Sequence, residues 1–295
     1  MYNKVSKGEK MLSIIIINYN TKIMTQRCID SLCLNTPDDF EYEIIVVDNS
    51  TDHKQIFEEN GAVKVVRIPN NGFGDACNKG VLASGGDTIL FLNSDIIIKD
   101  GSIVKAYEYI NKRLDVGILG GKLMLENGKM DHGCRRGFPT PKASFYYMFG
   151  FDKRHPKSAK YGGYRLTYLS ENEVHDVDCV SGAYMMIKAD TYKRLNGFDT
   201  DYFMYGEDID ICWRAKHKGV AVIFYPLATA VHLKGQSGLN TKSKKVLGYF
   251  YDSMKIFYKK NMAKSYNPLT NALVYTGIFI KRRLAMLKAS LLGGN

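Results

Sequence analysis

Three short apolar runs, each stopping in a polar cluster, constrain this chain more than any other feature. Residues 12–17 lead into Asn18-Tyr19-Asn20, residues 44–47 into Asp48-Asn49-Ser50, and residues 89–92 into Asn93-Ser94-Asp95, with Ile96, Ile97 and Ile98 directly after. Runs this short, rich in β-branched residues, suit strands covered on both faces. Helical patterns alternate with them. Met24, Cys28 and Leu32 recur every four residues, with Thr21 placed to cap that helix. Phe73, Ala76, Cys77, Gly80 and Val81 occupy one face of another. A further helix is expected over about 52–60 and a strand over 63–68. This alternation predicts an α/β fold with a mainly parallel central sheet wrapped by helices. In such sheets ligands bind beyond the C-terminal strand ends. One polar triplet there also reads as a plain turn, but three ending strands of one sheet favour a shared site.

Beyond residue 99 the pattern loosens. A helix is expected at 102–114, with Ile103, Tyr107, Ile110 and Leu114 on one face, then a strand at 116–125 in which Gly120-Gly121 marks a bend or a close backbone approach. Residues 126–176 read as irregular, and a stretch that long inside a domain is usually functional or mobile. Regular structure is expected again as a strand over 177–188, a short helix near 190–195, a helix over 207–218 ended by Gly219, and a last strand over 220–225. Residues 1–11 are expected to form a loose lead-in.

Composition matters chiefly through where the charge lies. The net +11 is concentrated in residues 240–295, which hold eleven Lys/Arg against the single acid Asp252; the other 239 residues carry 30 basic and 29 acidic side chains. Within that tail Leu247, Phe250, Tyr251, Met254, Phe257 and Tyr258 form an apolar stripe beside lysines. Leu273, Ile278, Phe279, Leu284, Leu287 and Leu291 form a second, flanked by Lys281-Arg282-Arg283 and Lys288. Basic amphipathic helices of this kind either lie on an anionic membrane surface or pack on the catalytic domain with lysines in solvent. Nucleic acid is not an expected partner, because the aromatics sit on the apolar stripes and no recognition motif accompanies them. The six cysteines (28, 33, 77, 134, 179, 212) show no CxxC spacing and are expected to be reduced, Cys77 and Cys212 on buried faces. With no secretory pattern and no run of membrane-spanning length, a cytoplasmic protein is expected, with possible docking of the tail on the inner face of the plasma membrane left open.

Cofactor motifs narrow the chemistry. Gly72-Phe73-Gly74 precedes a helix, but the first strand's turn has no glycine and Cys77 replaces the third fingerprint glycine, so a nicotinamide site is excluded. No phosphate-binding GxxxxGK[ST] loop occurs. Acids remain. Asp48 and Asp95 end strands, and Glu207-Asp208 follows the bulky run Tyr202-Phe203-Met204-Tyr205. That acid pair reads either as charge complementing a helix N-terminus or as a carboxylate whose pKa is raised by aromatic burial and suited to general-base work. Asp210 with Arg214 is an ordinary i, i+4 pair. His232, taken alone, reads as a structural histidine.

The ordered set NYN, VVDNS, NNGFGDACNKG, FLNSD, VSGAYMMIK, GFDTDYFMYGEDIDICWR and AVHLKG resembles the family-2 glycosyltransferases of GT-A fold, in their bacterial rhamnosyltransferase-like branch, over about residues 11–238. The resemblance implies a catalytic domain at 1–239, its nucleotide-binding half at about 11–98 and acceptor half at about 99–239, followed by the basic helical tail 240–295. It implies that Asp95 binds a divalent cation (Mg2+ or Mn2+) bridging the donor's diphosphate and that His232 completes that metal site. Asn93 stands where the family's DxD motif has its first acid; an amide is a weak ligand, so a nucleotide contact is expected of it. Asp48 is implied to read the base edge and Tyr19 to pack on the base, with Asn18, Gly74 and Asn78 also in the nucleotide-sugar site. Asp208 is implied to be the catalytic base, with Glu207 orienting acceptor or base. Arg135 and Arg136 are candidate phosphate or acceptor contacts, and solvated loop charge is their plain alternative.

These expectations describe an inverting, metal-dependent glycosyltransferase. It would move L-rhamnose from dTDP-rhamnose to a cell-surface polysaccharide or lipid-linked glycan acceptor. A UDP-hexose or UDP-N-acetylhexosamine donor is the alternative within the fold, and a non-catalytic sugar-nucleotide-binding module the alternative outside enzymes.

Overall fold

The computed structural model describes residues 11–233, apart from 60, 62 and 100, and residues 243–291. The expected lead-in, residues 1–10, lies outside the described residues. Strand β1 (Leu12–Asn18) is followed by helix α1 (Lys22–Asn35), β2 (Tyr42–Asp48), β3 (Val63–Arg67), α2 (Phe73–Leu82), β4 (Thr88–Asn93) and β5 (Ile96–Ile98). Then come α3 (Ser102–Lys112), β6 (Val116–Met124), β7 (Arg135–Arg136), α4 (Pro141–Met148), α5 (Phe151–Arg154), β8 (His175–Asp176), β9 (Cys179–Val180) and β10 (Tyr184–Lys188). The chain continues through α6 (Ala189–Arg194), α7 (Glu207–His217), β11 (Ala221–His232), α8 (Lys244–Phe257) and α9 (Pro268–Leu291).

Nine of these strands form one sheet in the order β3-β2-β1-β4-β10-β6-β11-β5, with β8 on the edge of β11. The pairs β3/β2, β2/β1, β1/β4 and β6/β11 are parallel; β10 runs antiparallel between β4 and β6. Burial explains the apolar runs: Ile14, Ile16, Val46 and Leu90 are fully enclosed because helices cover both faces. Register fixes the strand ends. Asn18 pairs with Asp48, and Ile17 with Asn93, so the first three polar clusters reach one edge of the sheet together.

Several local expectations give way. Among the described residues of 52–60 only one tight turn, His53–Gln55, is helical, because the segment is held by side-chain bonds: Asp52 accepts from the Lys54 amide, the Gln55 side chain accepts from the Lys22 amide, and the Asn18 side chain donates to the Gln55 carbonyl. Thr21 does not cap α1; its hydroxyl bonds to Asn18 and Ser94, tying the ends of β1 and β4. Leu114 lies past the end of α3 and is 97% exposed. The span 177–188 is two strands, since the chain turns at Ser181-Gly182. The last strand continues to His232 through an irregularity between Tyr225 and Thr229, which lets it pass Pro226. Gly120 and Gly121 do mark close approach: an added Cβ would sit 2.4 Å from Val180 and 2.6 Å from the Ala228 carbonyl oxygen.

The C-terminal helices pack on the rest of the chain. Tyr249 stacks on Phe203 with ring centres 4.3 Å apart, and Phe257 meets Trp213 edge-on at 5.8 Å. Lys260 lies 2.5 Å from both Asp199 and Asp201, and Asn261 donates to Asp210. α9 joins α8 through Arg282 and Asp252 at 2.6 Å, but Leu269, Leu284, Leu287 and Leu291 on it remain more than half exposed.

Candidate functional site

One cavity of about 1010 Å³ opens at the C-terminal edge of β1 and β4 and extends to α8 and α9. At its sheet end it is lined by Tyr19, Asn49, Asn70, Asn93 and Ser94. The entrance to α2 is pinned there. Gly72 has φ +108°, and an added Cβ would stand 2.3 Å from the Phe203 carbonyl oxygen, which accepts from the Phe73 amide at 2.9 Å. Only glycine permits that approach.

A carboxylate–imidazole–carboxylate series occupies one side. His232 reaches Asp95 because β11 pairs antiparallel with β5, setting His232 opposite Ile96. Its Nδ1 lies 3.0 Å from Asp131 Oδ2, and its Nε2 3.4 Å from Asp95 Oδ1. Asp95 is 1% exposed, and Oδ1 has no hydrogen bond of acceptable geometry. Burial would weaken the imidazolium, but the Asp131 hydrogen bond and the neighbouring Asp95 carboxylate outweigh it and raise the His232 pKa to about 9. The donor set fits a divalent cation. With Nδ1–H kept on Asp131, release of the Nε2 proton would offer that nitrogen and the Asp95 Oδ1 beside it to one cation, and Asp131 would fix the tautomer. Among the described residues no group of three or more His, Cys, Asp or Glu is arranged to hold a metal.

The second side is built at the start of α7. Tyr205 (φ +68°) and Gly206 (φ +86°) adopt consecutive left-handed conformations and turn the chain sharply into Glu207-Asp208. Such strain in a non-glycine residue, held by its surroundings, is common at functional sites. Asp208 Oδ2 accepts from Arg136 at 2.5 Å and from the Gly182 amide at 3.3 Å, while Oδ1 accepts from the Ile209 amide at 2.8 Å. Burial would lower the Arg136 pKa, but the adjacent Asp208 carboxylate more than compensates and holds the guanidinium above its ordinary value. Glu207 is raised from 4.5 to about 8 by burial and then by Asp208, and its Oε2 is buried without a partner. Of the acid pair, it is Glu207 whose carboxyl is elevated.

The expected site residues divide in two. Tyr19, Asn93, Arg136, Glu207, Asp208 and His232 line the cavity, with Asp95 directly behind His232. Asn18, Asp48, Gly74, Asn78 and Arg135 do not. Asn18 bonds to Asp48, Ser50 and the Gln55 carbonyl, and Asp48 accepts from Asn18 and from the Ser50 and Phe57 amides, so both hold the loop that carries Tyr19. Gly74 packs α2 against Phe198, and Asn78 bonds to Phe198 and Tyr192. β7 sends its two arginines to opposite faces, as any strand must. Arg136 enters the cavity, whereas Arg135 is 1% exposed, sits 4.4 Å over the Phe224 ring and donates to the Leu169 and Ser170 carbonyls. Asp131 and Gly182 went unsuspected. Asp131 comes from the stretch read as irregular, where no periodicity exists to flag it.

The sequence matches the model of glycosyl transferase family 2 over residues 13–169 and that of the N-terminal domain of galactosyltransferase over 173–235. Rhamnosyltransferase WbbL of Escherichia coli (strain K12) is 28% identical over 270 residues, covering 87% of this chain and 96% of its own length. N-acetylglucosaminyl-diphospho-decaprenol L-rhamnosyltransferase of Mycobacterium tuberculosis (strain ATCC 25618 / H37Rv) is 24% identical, covering 77% of each chain. Among solved structures, GalNAc-T7 with UDP, GalNAc and Mn2+ superposes with a TM-score of 0.63 at 16% identity, over 87% of this chain and 49% of that one. The superposition bears out the fold.

Proposed function

The chain belongs to glycosyl transferase family 2 and is a glycosyltransferase, and from that premise we propose that it transfers L-rhamnose from dTDP-L-rhamnose, with inversion, to a cell-surface polysaccharide or lipid-linked glycan precursor. The observation that carries this reading is similarity along nearly the whole length of a rhamnosyltransferase, 96% of it.

Two differently equipped sides of one cavity suit single displacement. Asp208, oriented by Arg136 and two backbone amides, takes the proton of the acceptor hydroxyl as it attacks the anomeric carbon. Glu207, protonated at neutral pH, offers an O–H to position that hydroxyl. Tyr19 and Asn93 receive the nucleotide, and the Asn18–Asp48–Ser50 network keeps the Tyr19 loop in place. Asp95 and His232 would hold a divalent cation, oriented through Asp131, and that cation when bound neutralises charge on the departing diphosphate. The UDP and Mn2+ of the solved neighbour support a nucleotide-diphosphate donor and a metal requirement.

The same neighbour's GalNAc favours a second reading, a UDP-hexose or UDP-N-acetylhexosamine donor. A thermal-shift panel of dTDP- and UDP-sugars with Mg2+ or Mn2+ separates the two. The largest rise is expected for dTDP-rhamnose; a larger rise with a UDP-sugar selects the second reading.

A further inference from the structure

The turn that delivers Glu207-Asp208 is strained, and strain of this kind persists only where the surroundings hold it. Tyr205, at φ +68°, is the costly position, because a bulky residue rarely adopts the left-handed conformation. Three side chains of α8 meet this turn. Tyr249 stacks on Phe203 with ring planes 24° apart, Phe250 meets Tyr205 edge-on at 5.8 Å, and a Cβ added at Gly206 would stand 3.4 Å from that of Ser253. Positions 249, 250 and 253 lie on one side of a helix, so a single element touches the turn at three of its residues. Phe203 is also gripped from the opposite direction, since its carbonyl oxygen accepts from the Phe73 amide at the entrance to α2. Just past α8, Lys260 pairs with Asp199 and Asp201 before the turn, and Asn261 donates to Asp210 after it.

We infer that α8 braces the turn that presents the base, and that Tyr249, acting through Phe203, is a positioning residue for Asp208. A flat ring laid on Phe203 fixes the direction in which the chain leaves that residue, which aliphatic bulk of similar size would not do. The inference rests on the reading of Asp208 as the base and goes beyond it. α8 begins at Lys244, past the two segments that the family models match, which end at residue 235. The basic extension is then part of the catalytic unit. Tyr249 also lines the cavity, so a direct contact with substrate is the competing role.

Hydrogen exchange read by mass spectrometry, on the full chain without donor, tests the brace. Tyr249→Leu keeps apolar bulk and loses the stack, and Tyr249→Phe keeps the stack. Phe203→Leu breaks the same stack from the other side, so misfolding of one leucine variant leaves the other to decide. In the leucine variants the amides of 203–209 should exchange at least about tenfold faster, with those of β1 and α1 unchanged, and Tyr249→Phe should match the wild type. Turnover is read as nucleoside diphosphate released with Mn2+ and water as acceptor, from dTDP-L-rhamnose or from a UDP-sugar that gives the larger thermal shift. Tyr249→Leu should lower kcat about tenfold with donor Kd held within about twofold, Tyr249→Phe should restore kcat, and Tyr249→Leu added to Phe203→Leu should cost little more. Unchanged exchange over 203–209, or additive losses in the double variant, overturns the inference. Loss of kcat in Tyr249→Phe, or weaker donor binding at normal kcat, overturns it in favour of a substrate contact. Normal turnover by Asp208→Asn would overturn the base reading and with it the role of Tyr249 toward Asp208, whereas the exchange result, obtained without donor, would still report the brace.

Discussion

Arg136 and Asp208 meet at 2.5 Å, a guanidinium on the carboxylate at the start of α7, across 72 residues of sequence. Both side chains are largely enclosed, at 18% and 12% exposure. An ion pair so placed is oriented by its surroundings, and removing either partner strands the other. The candidate base thus has a fixed direction before any substrate arrives.

Asp208→Asn tests the base. The amide keeps an acceptor for Arg136 and cannot take a proton, so donor binding by thermal shift should persist while kcat falls by roughly 10²–10⁴. Transfer at the normal rate would remove Asp208 from that role and favour a different proton acceptor.

The two arginines of β7 should behave oppositely. Arg135→Ala loses two carbonyl bonds and the contact with Phe224, and should lower stability by about 2–4 kcal/mol with activity per folded molecule retained. Arg136→Lys should spare most stability and lower kcat, because an ammonium cannot reproduce the guanidinium's directed contact. Urea melts alongside kinetics on active protein distinguish the pair; equal kcat in both variants contradicts the assignment.

Asp131→Asn should weaken Mn2+ binding by about 10–100-fold, since the carboxylate behind a ligating imidazole sets its tautomer and basicity. Electron paramagnetic resonance titration of free Mn2+ reads this directly. An unchanged affinity would leave Asp131 a purely structural partner of His232.

Glu207 should make stability fall as pH rises. Below its ordinary value of 4.5 folded and unfolded chains are both protonated; between there and about 8 the unfolded chain releases a proton that the folded one retains. Glu207→Gln should therefore lose less stability than the wild type between pH 5 and pH 8, measured by urea midpoints. Parallel slopes would show that Glu207 is not a buried neutral acid.

Tail docking on membranes is best examined by substitution, because deleting residues 240–295 would uncover Trp213 and Tyr202, which α8 and the turn after it cover. Wild-type protein should co-sediment with anionic liposomes in a salt-sensitive manner, and Leu284→Ser/Leu287→Ser should do so less. Equal, salt-insensitive partitioning would end the idea of docking through α9.

Some features were legible because they are local. Apolar runs at Leu12–Asn18, Tyr42–Asp48 and Thr88–Asn93 declare buried strands, and the ordered motifs around Asp95, Asp208 and His232 declare a family. The helix expected over about 52–60 gave way because side-chain bonds of Asn18, Asp52 and Gln55 shaped the described residues there, and such bonds leave no periodic trace.

What the sequence determined by itself is the strand–helix alternation, the location of the charge and the residue types available for chemistry. Tertiary structure decided which of those residues share a cavity. Strand alternation, unreadable within a stretch that seemed irregular, turned Arg136 toward Asp208 and Arg135 into the core. Antiparallel pairing of β11 with β5 set His232 beside Asp95, and Asp131 arrived from 101 residues away. α8 and α9 folded back to lengthen the cavity. Contacts of this range depend on chain register and packing, which no window of sequence contains.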